Sequence, residues 1–230
     1  MPDDTSRQLF KALGDLAIEL QAEPGTGDTV RSIVKAAVDI VPGTRWAGIS
    51  MVQGLQVTAE APTDPVVAKL DDLQTELGDG PCISALREHR TVHVSDMSTE
   101  SRWPTFTRRA TELGVGSLLS FQLFVISRNL GALNLYSPDT HAFTWDSIEV
   151  GLALAQHAAV AMFEAASEGQ FQTALASRDT IGQAKGMLIE RFGIDDLAAF
   201  KLLTRLSQEM NKPLRGVAQL VIDHPERHPD

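Results

Sequence analysis

The sequence has a single cysteine, a single tyrosine, and no apolar run approaching the ~20 residues of a membrane-spanning helix. One cysteine, Cys82, excludes an internal disulfide framework and a CxxC metal or redox pair, and it suits a reducing compartment. The opening MPDDTSRQLF puts acids where a secretory leader carries positive charge, so the expected location is the cytoplasm, with no membrane partner. No GxxxxGK[ST] phosphate loop, GxSxG elbow or HExxH pair occurs. His89 and His93 are four apart, but the helix holding the first is expected to stop near Arg90. No metal, no cofactor and no catalytic residue is therefore expected, and the chain reads as a non-enzyme. Paired acids such as Asp71-Asp72 and Asp195-Asp196 read as solvated surface or helix-start charge.

Positive charge is scarce as well: 20 Lys+Arg stand against 30 Asp+Glu, a net of −10 that argues against a nucleic-acid partner until it is divided. Residues 1–169 hold 12 basic and 22 acidic side chains, whereas residues 170–230 hold 8 of each. Within 171–222 the basic set is Arg178, Lys185, Arg191, Lys201, Arg205, Lys212 and Arg215 against five acids. The acid belongs upstream, and the C-terminal stretch can present a basic face.

What is there, in order, is mixed. Leu9, Leu13, Leu16 and Leu20 predict a helix, and Thr29 to Val41 a second. Strand-like runs at 46–52 and 55–59 flank a turn at Gln53-Gly54. Helices follow at 64–77, at 82–88 behind Pro81, and at 103–113, with a short strand at 91–94 before the last. Two strong strands, 117–126 and 130–136, are joined by Ser127-Arg128-Asn129. The expected fold is α+β, an antiparallel sheet flanked by helices. From Trp145 a long helix places Ile148, Leu152, Ala155, Ala159, Met162 and Ala166 at 4-3-4-3-4 spacing, the seam of a coiled coil. The alternative is that this helix packs on its own sheet. Gly169 interrupts the pattern before Phe171 and Leu175 resume it. Three helices end the chain: to Phe192, from Asp195-Asp196 to Met210, and after Pro213 to Asp223.

Two stretches carry family resemblances. Gly78-Asp79-Gly80-Pro81-Cys82, Arg102 to Phe106, Gly114 to Ser117 and Gly131 to Ser137 resemble a GAF domain. Arg178, Ile181 to Gly186, Glu190-Arg191, Ala199-Phe200, Leu203, Ser207, Asn211 and Val217-Ala218 resemble an ANTAR domain. The implied layout is a GAF-like sensor and dimerisation domain over 1–168, whose stretch 145–168 begins the connecting helix. An all-α ANTAR-like three-helix bundle over 169–223 follows, and then a disordered tail over 224–230. The resemblance implies a transcription antitermination regulator that binds paired RNA stem-loops in leader transcripts as a homodimer, under control of a sensor that takes an unknown small-molecule ligand.

The RNA-binding positions expected are Arg178, Gln183, Lys185, Gly186 and Arg191, supported by Lys201, Arg205, Lys212 and Arg215, with splayed loop bases as the readable target. For a sensor site the candidates are Cys82, just inside a helix start where a thiol pKa can fall, and Asn134. The series Asn134…Phe143…Asp146 partly matches cyclic-nucleotide-binding GAF domains, but Leu135 and Ser147 depart from that pattern. Two other readings stay open: a helix-turn-helix-like DNA-binding regulator built on 197–223, and a GAF sensor or scaffold that binds no nucleic acid.

Overall fold

The computed structural model describes residues 25–53, 56–88, 91–125 and 128–224, with most positions between 11 and 23. The chain divides into two compact units, Met1–Ala166 and Ser167–Asp230. In the first, Leu16 and Leu20 are buried, while Leu9 and Leu13 of the expected first helix lie outside the described residues, as do residues 225–230 of the expected tail. Then come α1 (Thr26–Ile40), β1 (Trp46–Gln53), β2 (Gln56–Glu60), α2 (Pro65–Leu77), α3 (Pro81–Glu88), β3 (Val92–Val94), α4 (Pro104–Glu112), β4 (Ser117–Val125) and β5 (Arg128–Ser137). Helix α5 (Trp145–Phe192) belongs to both units, and α6 (Asp196–Met210) and α7 (Leu214–Asp223) complete the second.

The five strands form one antiparallel sheet in the order β2-β1-β5-β4-β3. Helices cover both faces, so strand residues of either parity are buried. On one side Ala47, Ile49, Phe121, Leu133 and Leu135 pack with α1 and the start of α5; on the other, Leu118 and Tyr136 pack with α2, α3 and α4. Local chemistry sets the helix ends on that second side. Asp64 Oδ1 accepts the Val66 amide at 2.9 Å ahead of Pro65, and Gly78 closes α2 in the left-handed region at φ 62.

Two expectations change. Strand β5 starts at Arg128 rather than Leu130, because Val125 pairs with Arg128 and Phe124 with Asn129 across a register shift. Gly131 sits next to that shift at φ 126, where a Cβ would lie 2.4 Å from the Ser50 carbonyl oxygen; only glycine passes there. The coiled-coil seam is also redirected. Ala155, Ala159 and Met162 are at most 4 % exposed in the sheet's own core, and the outward side of this part of α5 carries Trp145, Leu152 and Val160. Finally, an 18-residue window of α5 reaches a mean hydropathy of 1.2, long and apolar enough by composition to cross a bilayer. Val150, Leu154, Ala158 and Ala159 from this helix are buried in the core, so that apolar face is already used.

Candidate nucleic-acid interface

The second unit is built on very small contacts. Ala184 and Leu188 of α5, Ala199 and Leu203 of α6, and Val217 and Ala218 of α7 are at most 3 % exposed. Three alanines in the contact let the helix backbones approach closely, so little side-chain volume is needed to fill the centre. Polar side chains shape the ends. Gly193 ends α5 at φ 61, and Asp195 Oδ1 accepts the Ala198 amide at 2.7 Å to cap α6. Asn211 ends α6 in the left-handed region at φ 49, and Ser207 Oγ donates to the Lys212 carbonyl at 2.6 Å across the turn into α7.

These roles use up Ala184, Ala199, Leu203, Ser207, Asn211, Val217 and Ala218 from the positions that resemble an ANTAR domain. Arg178, Ile181, Gly182, Gln183, Lys185, Gly186, Glu190, Arg191 and Phe200 remain, and they lie at or near the surface. Arg178, Gly182, Gln183, Lys185 and Phe200 line one open groove of about 850 Å³, with Ala174, Ser177, Asp179 and Ile181. A Cβ added at Gly182 or Gly186 would meet nothing within 4 Å, so neither glycine is required by packing among the described residues. Glycine in a helix interior costs ~1 kcal/mol relative to alanine, and here no internal contact offsets it.

The expected basic set does not converge on one face. At about 100° per residue Arg178 and Lys185 share a face of α5, whereas Gln183 and Arg191 each lie about 140° away in opposite senses. Gln183 still reaches the groove lining, and Arg191 is not part of it. Lys185 is also engaged: its Nζ lies 2.5 Å from Asp196 Oδ1, with the lysine side chain only 22 % exposed. Arg205 Nε donates to Glu209 Oε1 at 2.8 Å along α6. Arg178, Arg191, Lys201, Lys212 and Arg215 make no side-chain ion pair or hydrogen bond among the described residues. Five unengaged cations face outward where two acids, Asp179 and Glu190, are likewise unengaged. The two ion pairs leave the net charge of residues 171–222 at the +2 of the composition, with 7 basic against 5 acidic side chains.

Sequence reasoning missed Phe200 as a surface group and Asp196 as the partner of Lys185. Phe200 is 41 % exposed although its neighbour Ala199 is fully buried.

In the first unit the sensor candidates are interior. Asn134 is fully buried; its Nδ2 donates to Ser50 Oγ at 2.6 Å and its Oδ1 accepts from Ser120 Oγ at 2.5 Å. Ser50 Oγ in turn donates to Asp71 Oδ2 at 2.6 Å, and Gln74 Nε2 donates to Asp71 Oδ1 at 3.1 Å. Gln74 Oε1 then accepts the Cys82 amide at 2.8 Å, at the start of α3. Asp71 is 1 % exposed, which corrects its reading as solvated charge. The signal was available in its position one after Leu70 and two before Leu73, on the buried side of α2. Burial pushes the Asp71 carboxyl up to about 6, opposed by the bonds from Ser50 and Gln74. Burial, with Asp71 nearby, pushes the Cys82 thiol up to about 12. That is opposite to the activation a helix start gives, so Cys82 is a thiol packed at 1 % exposure. The Tyr136 hydroxyl is buried near Asp71 and Cys82 with no hydrogen-bond partner among the described residues. Among the described residues no group of three or more His, Cys, Asp or Glu side chains has metal-binding geometry.

Comparison with known proteins agrees with this division. A model of the GAF domain matches residues 25–162, and a model of the ANTAR domain matches residues 169–222. No curated protein matches the chain. Among solved structures, the GAF domain of a phosphoenolpyruvate-protein phosphotransferase from Coxiella burnetii is similar at 16 % identity and a TM-score of 0.55, covering 73 % of this chain and 99 % of that one. A putative GAF sensor protein from Burkholderia vietnamiensis is similar at 14 % identity and a TM-score of 0.56, covering 72 % and 99 %. A free methionine-R-sulfoxide reductase from Neisseria meningitidis is similar at 16 % identity and a TM-score of 0.54, covering 74 % and 96 %. At such identities the likeness is one of fold alone.

Proposed function

Because this chain belongs to the GAF domain family and carries a C-terminal ANTAR domain, we propose that it is a cytoplasmic, non-enzymatic transcription antitermination regulator that binds paired RNA stem-loops. The observation that carries the reading is the unengaged basic surface of the second unit, on a chain whose acid lies in the first. Arg178, Lys201, Lys212 and Arg215 supply phosphate contacts. Gln183 and Lys185 reach base edges from the groove, Gly186 gives backbone approach, and Arg191 and Arg205 contact the flanks. The layout is a sensor over 1–168, an RNA-binding module over 169–223 and a tail after it. Helix α5, common to both units, is the covalent route by which a small molecule held in the first changes the second. A homodimer forms through the outward apolar side of α5, where Trp145, Leu152 and Val160 are 44–71 % exposed. Two modules in one dimer gain effective concentration on two adjacent loops.

One solved relative is a reductase, but Cys82 here is buried with its thiol pushed up, which favours regulation over thiol chemistry. The test is a gel shift of the full chain on hairpin RNA across a salt series, with duplex DNA as competitor. Affinity should fall linearly in log–log form, and Arg178→Ala or Lys201→Ala should each reduce the slope by ~0.7–0.9. Equal competition by duplex DNA, or binding insensitive to salt, rejects the assignment.

A further inference from the structure

We propose that the groove on the second unit is a base-stacking slot, in which one unpaired loop nucleobase lies over Gly182 against the ring of Phe200 while Arg178 holds the adjoining phosphate. This rests on the RNA reading and assigns a base-binding position within it. Three observations point the same way. First, Phe200 is 41 % exposed in a unit whose core consists of alanine, leucine and valine, so part of its ring is open to solvent on the groove. Second, Gly182 lies in the same groove, and a Cβ there would touch nothing, so the helix accepts a weak residue and leaves open space beside the ring. Third, Arg178 on the same lining makes no side-chain ion pair or hydrogen bond among the described residues, Asp179 of that lining included, whereas Lys185 is held by Asp196.

The chemistry follows from these three. An aromatic face offers stacking to any base, an open backbone lets the base edge come close, and an unengaged guanidinium supplies the charge for its phosphate. The volume, about 850 Å³, lies within the ~300–1,000 Å³ usual for small-ligand clefts. A stacked duplex offers no free base face, so the occupant is a splayed loop base. Apolar side chains of a partner protein would also cover Phe200, but they would make no use of the Arg178 charge.

The experiment uses the full chain and a fixed-stem RNA hairpin with a randomised loop, from which the wild-type chain selects its tightest binder. Each loop position of that hairpin is then replaced in turn by an abasic site. One position should weaken binding by ~5- to 160-fold, the range of a base–aromatic stack. Phe200→Ala should lose the same factor with an unchanged salt slope, and on that variant the abasic penalty should vanish; Phe200→Tyr should keep both. Gly182→Leu fills the slot while keeping Phe200 and should also lose binding, with helix content by circular dichroism confirming that both variants fold. Selection of no hairpin by wild type sinks the RNA reading and the slot with it. Tight selection followed by wild-type affinity in Phe200→Ala or Gly182→Leu, or additive losses from Phe200→Ala and the abasic site, overturns the slot alone.

Discussion

Replacing Asp71 by asparagine should change the pH dependence of stability in a direction set by its burial. The folded carboxyl titrates at about 6 against 3.8 for the ordinary group. Between those values the native state holds a proton that the unfolded chain has released. Stability contributed by this group is therefore full below about pH 4 and lost as pH rises through 6. At 1.36 kcal/mol per pH unit, the span between the two values amounts to about 3 kcal/mol. Other carboxylates shift stability the opposite way in acid, so the signal lies in the difference between wild type and variant. The asparagine amide cannot accept hydrogen bonds on both sides, as Asp71 does from Ser50 and Gln74, which adds a constant loss of about 1–3 kcal/mol. Urea unfolding at a series of pH values between 4 and 7.5 gives the comparison. Relative to wild type, Asp71→Asn should improve by about 3 kcal/mol from the acid end to the neutral end. A difference that stays flat, or one that runs the other way, would refute a desolvated Asp71.

Tyr136→Phe removes a buried hydroxyl that has no partner among the described residues, and should leave stability unchanged or raise it by about 1 kcal/mol in thermal unfolding; a clear loss would show a bond to interior water. Asp196→Asn releases Lys185 from its ion pair, and should tighten hairpin RNA binding by about 1.4- to 5-fold, the worth of an exposed pair. Weaker binding in that variant would instead make the pair a support for the groove. Gly182→Ala should stabilise the second unit by about 0.5–1 kcal/mol by circular dichroism melting, because its new Cβ meets nothing; an unstable variant would mean that the glycine is needed for the fold.

The α+β class and the placing of most helices and strands were legible in the sequence, because caps and breakers such as Asp64-Pro65, Gly78, Gly193 and Asn211 leave local marks. What was not legible depended on which side of an element faced the core. The spacing of Ala155, Ala159 and Met162 fits either a partner helix or a sheet, and the sheet takes them. Asp71 reads as solvent charge until α2 is seen to lie over Ser50 and Asn134, groups remote in sequence. In the second unit the charges were visible and their engagement was not. That Lys185 is held by Asp196 while Arg178 is left unengaged comes from the packing of α5 against α6, which no local pattern encodes.

The claim that the second unit holds RNA is tested most directly by ultraviolet crosslinking of the full chain in cells, followed by mass mapping of nucleotide-modified peptides. The account predicts adducts on peptides from residues 177–215, Phe200 among them, on RNA that contains hairpin loops. Recovery of no RNA above background, or adducts confined to residues 25–162, would contradict it.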